Sequence, residues 1–198
     1  IFFDAVFASA VSSSFIPVFN EYLQKDGKKR AFDFSNNFVS IVIVVTALMT
    51  IFGILGASFL QGLFAGGFEG ETAILCTELL RILFPMLIFT GVAFSYVGVL
   101  QSLDEFTVPA AMSTVSNGII ILYYFVFGTK FGVKGLAVAF LFGWFMQMAI
   151  QIPPLYKKGY RFKFFINFKD EGLKKVGALM LPVMVSTWIQ PINIAING

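Results

Sequence analysis

ILFPMLIFTGVAFSYVGVLQSL, residues 82–103, runs for 22 positions without a charged side chain. A bilayer's hydrocarbon core is crossed by about 20 apolar residues in helical form. The run is continuous rather than alternating. In lipid, where every backbone polar group needs an internal partner, that pattern reads as a helix rather than a barrel strand. Just before it stand Glu78 and Arg81, three residues apart and so on one helix face, where they are expected to pair near the membrane surface. At mid-bilayer each charge would cost about 2.5–3.5 kcal/mol, whereas near the interface Arg81 can extend its head to water.

The same signature recurs along the chain. Charge-free runs cover 5–20, 34–68, 82–103, 106–129, 135–156 and 176–198, which predicts six spans. The second is longer than one crossing needs, and its helix is expected to stop near Leu63, before Ala65-Gly66-Gly67. Hydrophobic residues make up 58% of the sequence and charged ones 13%, with a mean hydropathy of +0.84. Soluble domains carry about 25% charged residues, so this composition cannot cover a core with a polar surface. The fold class is therefore all-α, a polytopic transmembrane helix bundle.

Orientation follows from the bases. Eleven Lys and Arg fall in 24–33 and 157–175, which lie on the same side as the tight Asp104-Glu105 turn of 102–106. Only Lys130 and Lys134 fall in the connections of the opposite side. The rule that basic loops stay inside makes 24–33, 102–106 and 157–175 cytoplasmic. Within 157–175, KKGYRFKFFINFKDEGLKK, aromatics alternate with bases. Nucleic-acid binding is one reading of such a pattern. Between two spans, a segment resting on anionic headgroups is favoured, and no nucleic-acid partner is expected.

Chemistry is constrained by what the sequence lacks. There is no His and one Cys, Cys76. The commonest general base, the usual zinc ligand and the Ser-His and Cys-His pairs are all excluded, as is an internal disulfide. No enzyme activity, metal or cofactor is expected. Seven prolines fall in or beside spans, which favours bent helices of the transporter kind. Polar residues inside the spans mark either interhelical glue or a water-filled cavity. The candidates for the cavity are Asp4, Ser9, Ser12, Ser13, Arg81, Asn117, Gln147, Gln190 and Asn193. Gln147 and Gln151 share one helix face, as do Gln190, Asn193 and Asn197.

SSFIPVFNEY at 13–22, LLRILFPMLIF at 79–89, VGVLQSLDEFTVPAAMSTVSN at 97–117 and GLAVAFLFGWFMQMAIQIPPL at 135–155 occur in order, followed by 172–193. Together these resemble the MurJ (MviN) family of lipid II flippases in the MOP exporter superfamily. The resemblance implies that residues 1–198 are a partial transmembrane domain. It would hold the second to seventh helices, meaning the N-terminal lobe and the start of the seventh, with both ends truncated. It also implies transport of lipid II across the bacterial cytoplasmic membrane by alternating access, coupled to membrane potential or a monovalent ion. Another superfamily cargo, a polysaccharide-lipid or a drug, and a scaffold without transport are the alternatives. One departure stands out. The family's second helix typically carries Arg-Arg-x-Phe-x-Glu-Gly, whereas FFDAVFASA at 2–10 places Phe3 and Asp4 at the arginine positions and Ala8 at the Glu. Either helices outside this sequence supply the cavity cations, or this member handles its substrate differently.

Overall fold

A computed structural model describes residue 9, residues 11–128 and residues 130–183, and all regular structure among them is helical. A π-helical turn, Val11–Phe15, leads into α1, Ile16–Lys25. There follow α2, Gly27–Leu55; α3, Ala57–Phe64; α4, Gly70–Leu83; and α5, Met86–Ser102. The rest are α6, Thr107–Phe127; α7, Gly132–Ala149; α8, Ile152–Lys157; and α9 over 171–183. Four stretches are long and apolar enough to cross a membrane: Gly27–Leu55, Gly70–Ser102, Thr107–Phe127 and Gly132–Lys157. These are the four inner spans of the six predicted, and the first and sixth reach beyond the described residues.

The breaks have local causes. α1 and α2 are separated by Asp26 alone, with Gly27 taking the left-handed φ of +81° that a side chain would resist. The predicted loop 24–33 is thus almost entirely helical, because charges at the head of a helix do not interrupt it. The helix of the second span breaks at Gly56, and its continuation α3 ends at Phe64, close to the expected Leu63. Between α4 and α5 lies Pro85, which has no N–H for the Arg81 carbonyl. The neighbouring Phe84 carbonyl instead accepts from the Leu87 amide at 3.1 Å and the Thr50 hydroxyl at 3.2 Å. α5 closes on a Schellman motif. Glu105 N–H reaches Leu100 O at 2.9 Å and Asp104 N–H reaches Gln101 O at 3.2 Å, with Asp104 left-handed at φ +58°. α8 ends the same way around Gly159, with Tyr160 N–H on Leu155 O at 3.0 Å. Lys158, from that cap, donates to the Leu103 carbonyl at 2.8 Å, satisfying the end of α5.

The chain divides into two compact units. The first comprises residues up to Ile41, Phe94–Pro109 and everything from Pro153. All three connections predicted to be cytoplasmic, with their eleven bases, fall within it. Its core is aromatic: Phe15, Phe19 and Phe34 are fully buried, and Phe15 lies 4.8 Å from Phe38 and 5.4 Å from Phe34, ring to ring. Gly98 makes room for this cluster, since a Cβ there would fall 2.7 Å from the Phe15 ring.

The second unit comprises Val42–Ala93 and Ala110–Ile152. Here α5 approaches α2 at Gly91, where a Cβ would meet Val42 at 2.8 Å, and the Phe84 ring covers Gly53. α7 approaches α6 at Gly143, whose Cβ would stand 3.3 Å from Ser116. Small residues at helix contacts are the usual device where lipid supplies no hydrophobic drive between helices.

Candidate functional site

In the first unit, the polar side chains of the first span split between two settings. Ser12 and Ser13 are exposed, and Ser13 Oγ donates to Ser9 O at 2.7 Å. Ser14 is buried. The π turn carrying them lies directly before Pro17. A wider helical register accommodates the missing proline N–H, and such turns often mark functional positions. Asp4, Gln190 and Asn193 lie outside the described residues.

The second unit holds Arg81, Asn117 and Gln147. Gln147, 4% exposed, is interhelical glue. Its Nε2 donates to Ser116 Oγ at 2.7 Å, one turn beyond the Gly143 contact on the same face of α7. Gln151, fully buried, donates to Gln147 O at 3.0 Å and to Ala93 O at 3.2 Å, so the predicted common face of the two glutamines ties α7 to both α5 and α6. Asn117, next to Ser116, points the other way and is exposed, as are Ser113 and Thr114. These three leave a polar stripe on an otherwise apolar helix.

The expected Glu78–Arg81 pair does not form. Glu78 pairs instead with Lys134 at the head of α7, and both side chains are about half exposed. The reason is geometric. α4 packs along α7, so the lysine of a neighbouring helix competes successfully with a residue three positions on. Arg81 is left exposed without an ion pair among the described residues.

A second polar cluster escaped the sequence reading. Ser35, Asn36, Asn37 and Ser40 are all buried near the start of α2. They hold the non-helical segment after α8. Lys163 N–H donates to Asn36 Oδ1 at 3.2 Å, Phe165 N–H to Ser40 Oγ at 3.0 Å and Asn167 N–H to Asn37 Oδ1 at 2.7 Å. Asn37 Nδ2 returns a bond to Asn167 O at 2.9 Å. Every second backbone amide is satisfied by a side chain of α2, so the segment lies extended along that helix with strand-like periodicity. At its end Asp170, almost fully buried, accepts from Arg30 at 2.7 Å and from Gly172 N–H at 2.8 Å, capping α9. The Arg30 guanidinium also lies 4.6 Å over the Tyr22 ring. Tyr160, buried against Tyr96 and Phe32, has its hydroxyl pushed well above the ordinary phenol range by that burial. α9 therefore begins at 171, ahead of the charge-free run at Val176, and the predicted loop 157–175 is shorter than its charges implied. The signal in the sequence was Ser-Asn-Asn followed by Ser40 on one face, at a spacing of three to four residues.

Glu21 carries the remaining link from α1 to α9. It accepts from Lys175 at 2.9 Å on both oxygens and from Lys25 at 2.9 Å. The hydrogen bond from Lys175, then that from Lys25, hold its carboxyl below the ordinary range.

The profile of the family described as "Lipid II flippase MurJ" matches residues 1–198. A probable lipid II flippase MurJ of Buchnera aphidicola subsp. Schizaphis graminum is 29% identical over 192 residues, covering 95% of this chain and 37% of its own length. The protein of the same name from Vibrio cholerae is 29% identical over 201 residues, covering 96% and 38%. The lipid II flippase MurJ of Burkholderia cenocepacia is 26% identical over 196 residues, covering 95% and 38%. This chain thus spans under two fifths of the length of these relatives. A solved structure titled "Lipid II flippase MurJ, inward closed conformation" superposes with a TM-score of 0.79 at 24% identity, over 98% of this chain and 40% of that one. At that identity the likeness is one of fold. With the family profile matched from the first residue to the last, the chain belongs to the MurJ family.

Proposed function

We propose that this chain forms part of a flippase that carries lipid II, the undecaprenyl-pyrophosphate-linked peptidoglycan precursor, across the bacterial cytoplasmic membrane for cell-wall synthesis. The observation that carries this reading is the family match along all of 1–198. The physical problem is a charged, sugar-bearing head that cannot cross hydrocarbon unaided, so protein polar groups must replace its water. Among the described residues, Ser12, Ser13, Asn117 and Arg81 are exposed and are the candidates for that role. Gln147 serves by holding α7 to α6 rather than by meeting cargo. Phe3 and Asp4 supply no cation, so Arg81 and helices beyond these are the sources of positive charge for the pyrophosphate.

Energy comes from the membrane potential or a monovalent ion. An anionic head moving outward runs with an inside-negative potential, at about 2.3 kcal/mol per charge per 100 mV. The exposed Phe162, Phe164, Phe165 and Phe168, among Arg161, Lys163 and Lys169, rest on the anionic cytoplasmic leaflet, where each base contributes about 1 kcal/mol. The test is depletion of the protein in a host with no second flippase, followed by measurement of lipid II exposed on the outer face. Loss of exposure is expected. Undiminished exposure overturns the reading.

A further inference from the structure

Within the second unit, α6 and α7 enclose an apolar groove of about 720 Å³ that runs from Ile119 and Phe142 to Phe131 and Lys134. That size lies within the range of roughly 300–1,000 Å³ usual for small-molecule sites. Its rim residues Leu122, Val126, Val138 and Phe142 are each more than half exposed, so the groove opens to whatever surrounds the helices. Both helices are long and apolar enough to cross a membrane, so a groove left uncovered between them meets hydrocarbon.

The groove has polarity along its length. Ile119 is twelve positions into the 21-residue α6, about 18 Å along the helix from its start and so near mid-span. At the other end, where α7 begins, Lys134 lines the groove and Lys130 stands 5.7 Å from the Phe131 ring. These are the only two bases in the connections predicted to face outward. Glu78 engages Lys134 at the rim, which leaves Lys130 as the surplus positive charge. Two lysines against one carboxylate, at the membrane-surface end of an apolar groove, are the complement of an amphiphile with an anionic head.

We propose that this groove binds one anionic glycerophospholipid of the outer leaflet, with an acyl chain along Ile119–Phe142 and the phosphate held by Lys134 and Lys130. Its binding of a lipid does not depend on which cargo is carried. The occupant is a resident lipid, drawn from the bilayer rather than flipped through it.

The test uses the intact protein in nanodiscs containing phosphatidylglycerol or phosphatidylcholine, each with a photoreactive group at the end of one acyl chain. Cross-linked peptides are then mapped by mass spectrometry. Labelling within 119–142 should exceed that of the other spans and favour phosphatidylglycerol by at least about fivefold. K130Q/K134Q should abolish the headgroup preference while leaving chain labelling. V138W, a substitution at an exposed rim position, should reduce labelling with either lipid. Equal labelling by both lipids, or labelling of 119–142 no greater than elsewhere, overturns the proposal. Cross-links from this face to protein in place of lipid would do the same, showing it covered by a second copy or by another part of the chain. None of these readouts involves lipid II, so the result stands apart from the flippase assay.

Discussion

Asn37 is the residue on which the connection between α8 and α9 depends most. It is fully buried and exchanges two hydrogen bonds with the backbone of Asn167, at 2.7 and 2.9 Å. Asn37→Ala leaves an amide and a carbonyl of the extended segment without partners, at a cost of about 1–3 kcal/mol. The expected consequence is local. Hydrogen exchange at the amides of Lys163, Phe165 and Asn167 should accelerate, and trypsin should cut after Lys163 or Lys169 sooner than in the parent protein. Unchanged exchange there would mean the segment is held by something other than α2. Glu21 makes a different prediction, in pH. Its carboxyl is lowered by Lys175 and Lys25, so its contribution is present above the unfolded carboxylate value and is lost as pH falls through the lower folded one. With its side chain partly open to solvent, it gives a small effect. The difference in thermal stability between the parent and Glu21→Gln should shrink toward zero on acidification from pH 7, and a difference that grows in acid would reverse the assignment.

At the scale of elements, the helices meet where glycine lets them. α6 and α7 touch at Gly143, and the Gln147–Ser116 bond of 2.7 Å depends on that approach. Gly143→Val inserts methyl groups where a bare Cβ already stands 3.3 Å from Ser116. Overpacking of this kind costs about 1–3 kcal/mol, and the melting temperature in detergent should fall accordingly. Gly143→Ala should fall less. Equal stability of Gly143→Val and parent would show the helices free to separate at no cost. The contrast with Gln147 is instructive. Ser116 Oγ keeps its own bond to Ser113 O at 3.0 Å, so removing the glutamine strands no donor. Much of this was visible beforehand: Pro85, the Asp104-Glu105 turn and the end of α3 stand where charge, Pro and Gly placed them. The Glu78 partner was not visible, because helix spacing indicates Arg81 and only packing brings Lys134 closer. The connection at 24–33 is narrower than its bases imply, because the break falls at Asp26-Gly27 and the bases lie in helix on either side.

For the whole molecule, hydropathy and base distribution were enough to establish a polytopic helical bundle, since those signals are averaged over twenty residues and tolerate local error. The basis of cargo recognition was less legible. A polar side chain inside a span reads the same whether it faces a neighbour or a cavity; Gln147 is buried against Ser116, while Asn117 is exposed. The extended segment was hidden for another reason: its partners lie as many as 130 residues away in the chain. Folding Ser35, Asn36, Asn37 and Ser40 into one charge-free run concealed them among apolar neighbours. The central claim is that this chain belongs to a machine that moves lipid II. Its most direct test is reconstitution of the intact protein into vesicles carrying fluorescent lipid II, with an inside-negative potential imposed and a membrane-impermeant quencher added outside. The account predicts that the quenchable fraction rises from the outer-leaflet share toward completion only when the protein is present. A quenchable fraction identical to that of protein-free vesicles, from protein shown to be folded, would contradict it.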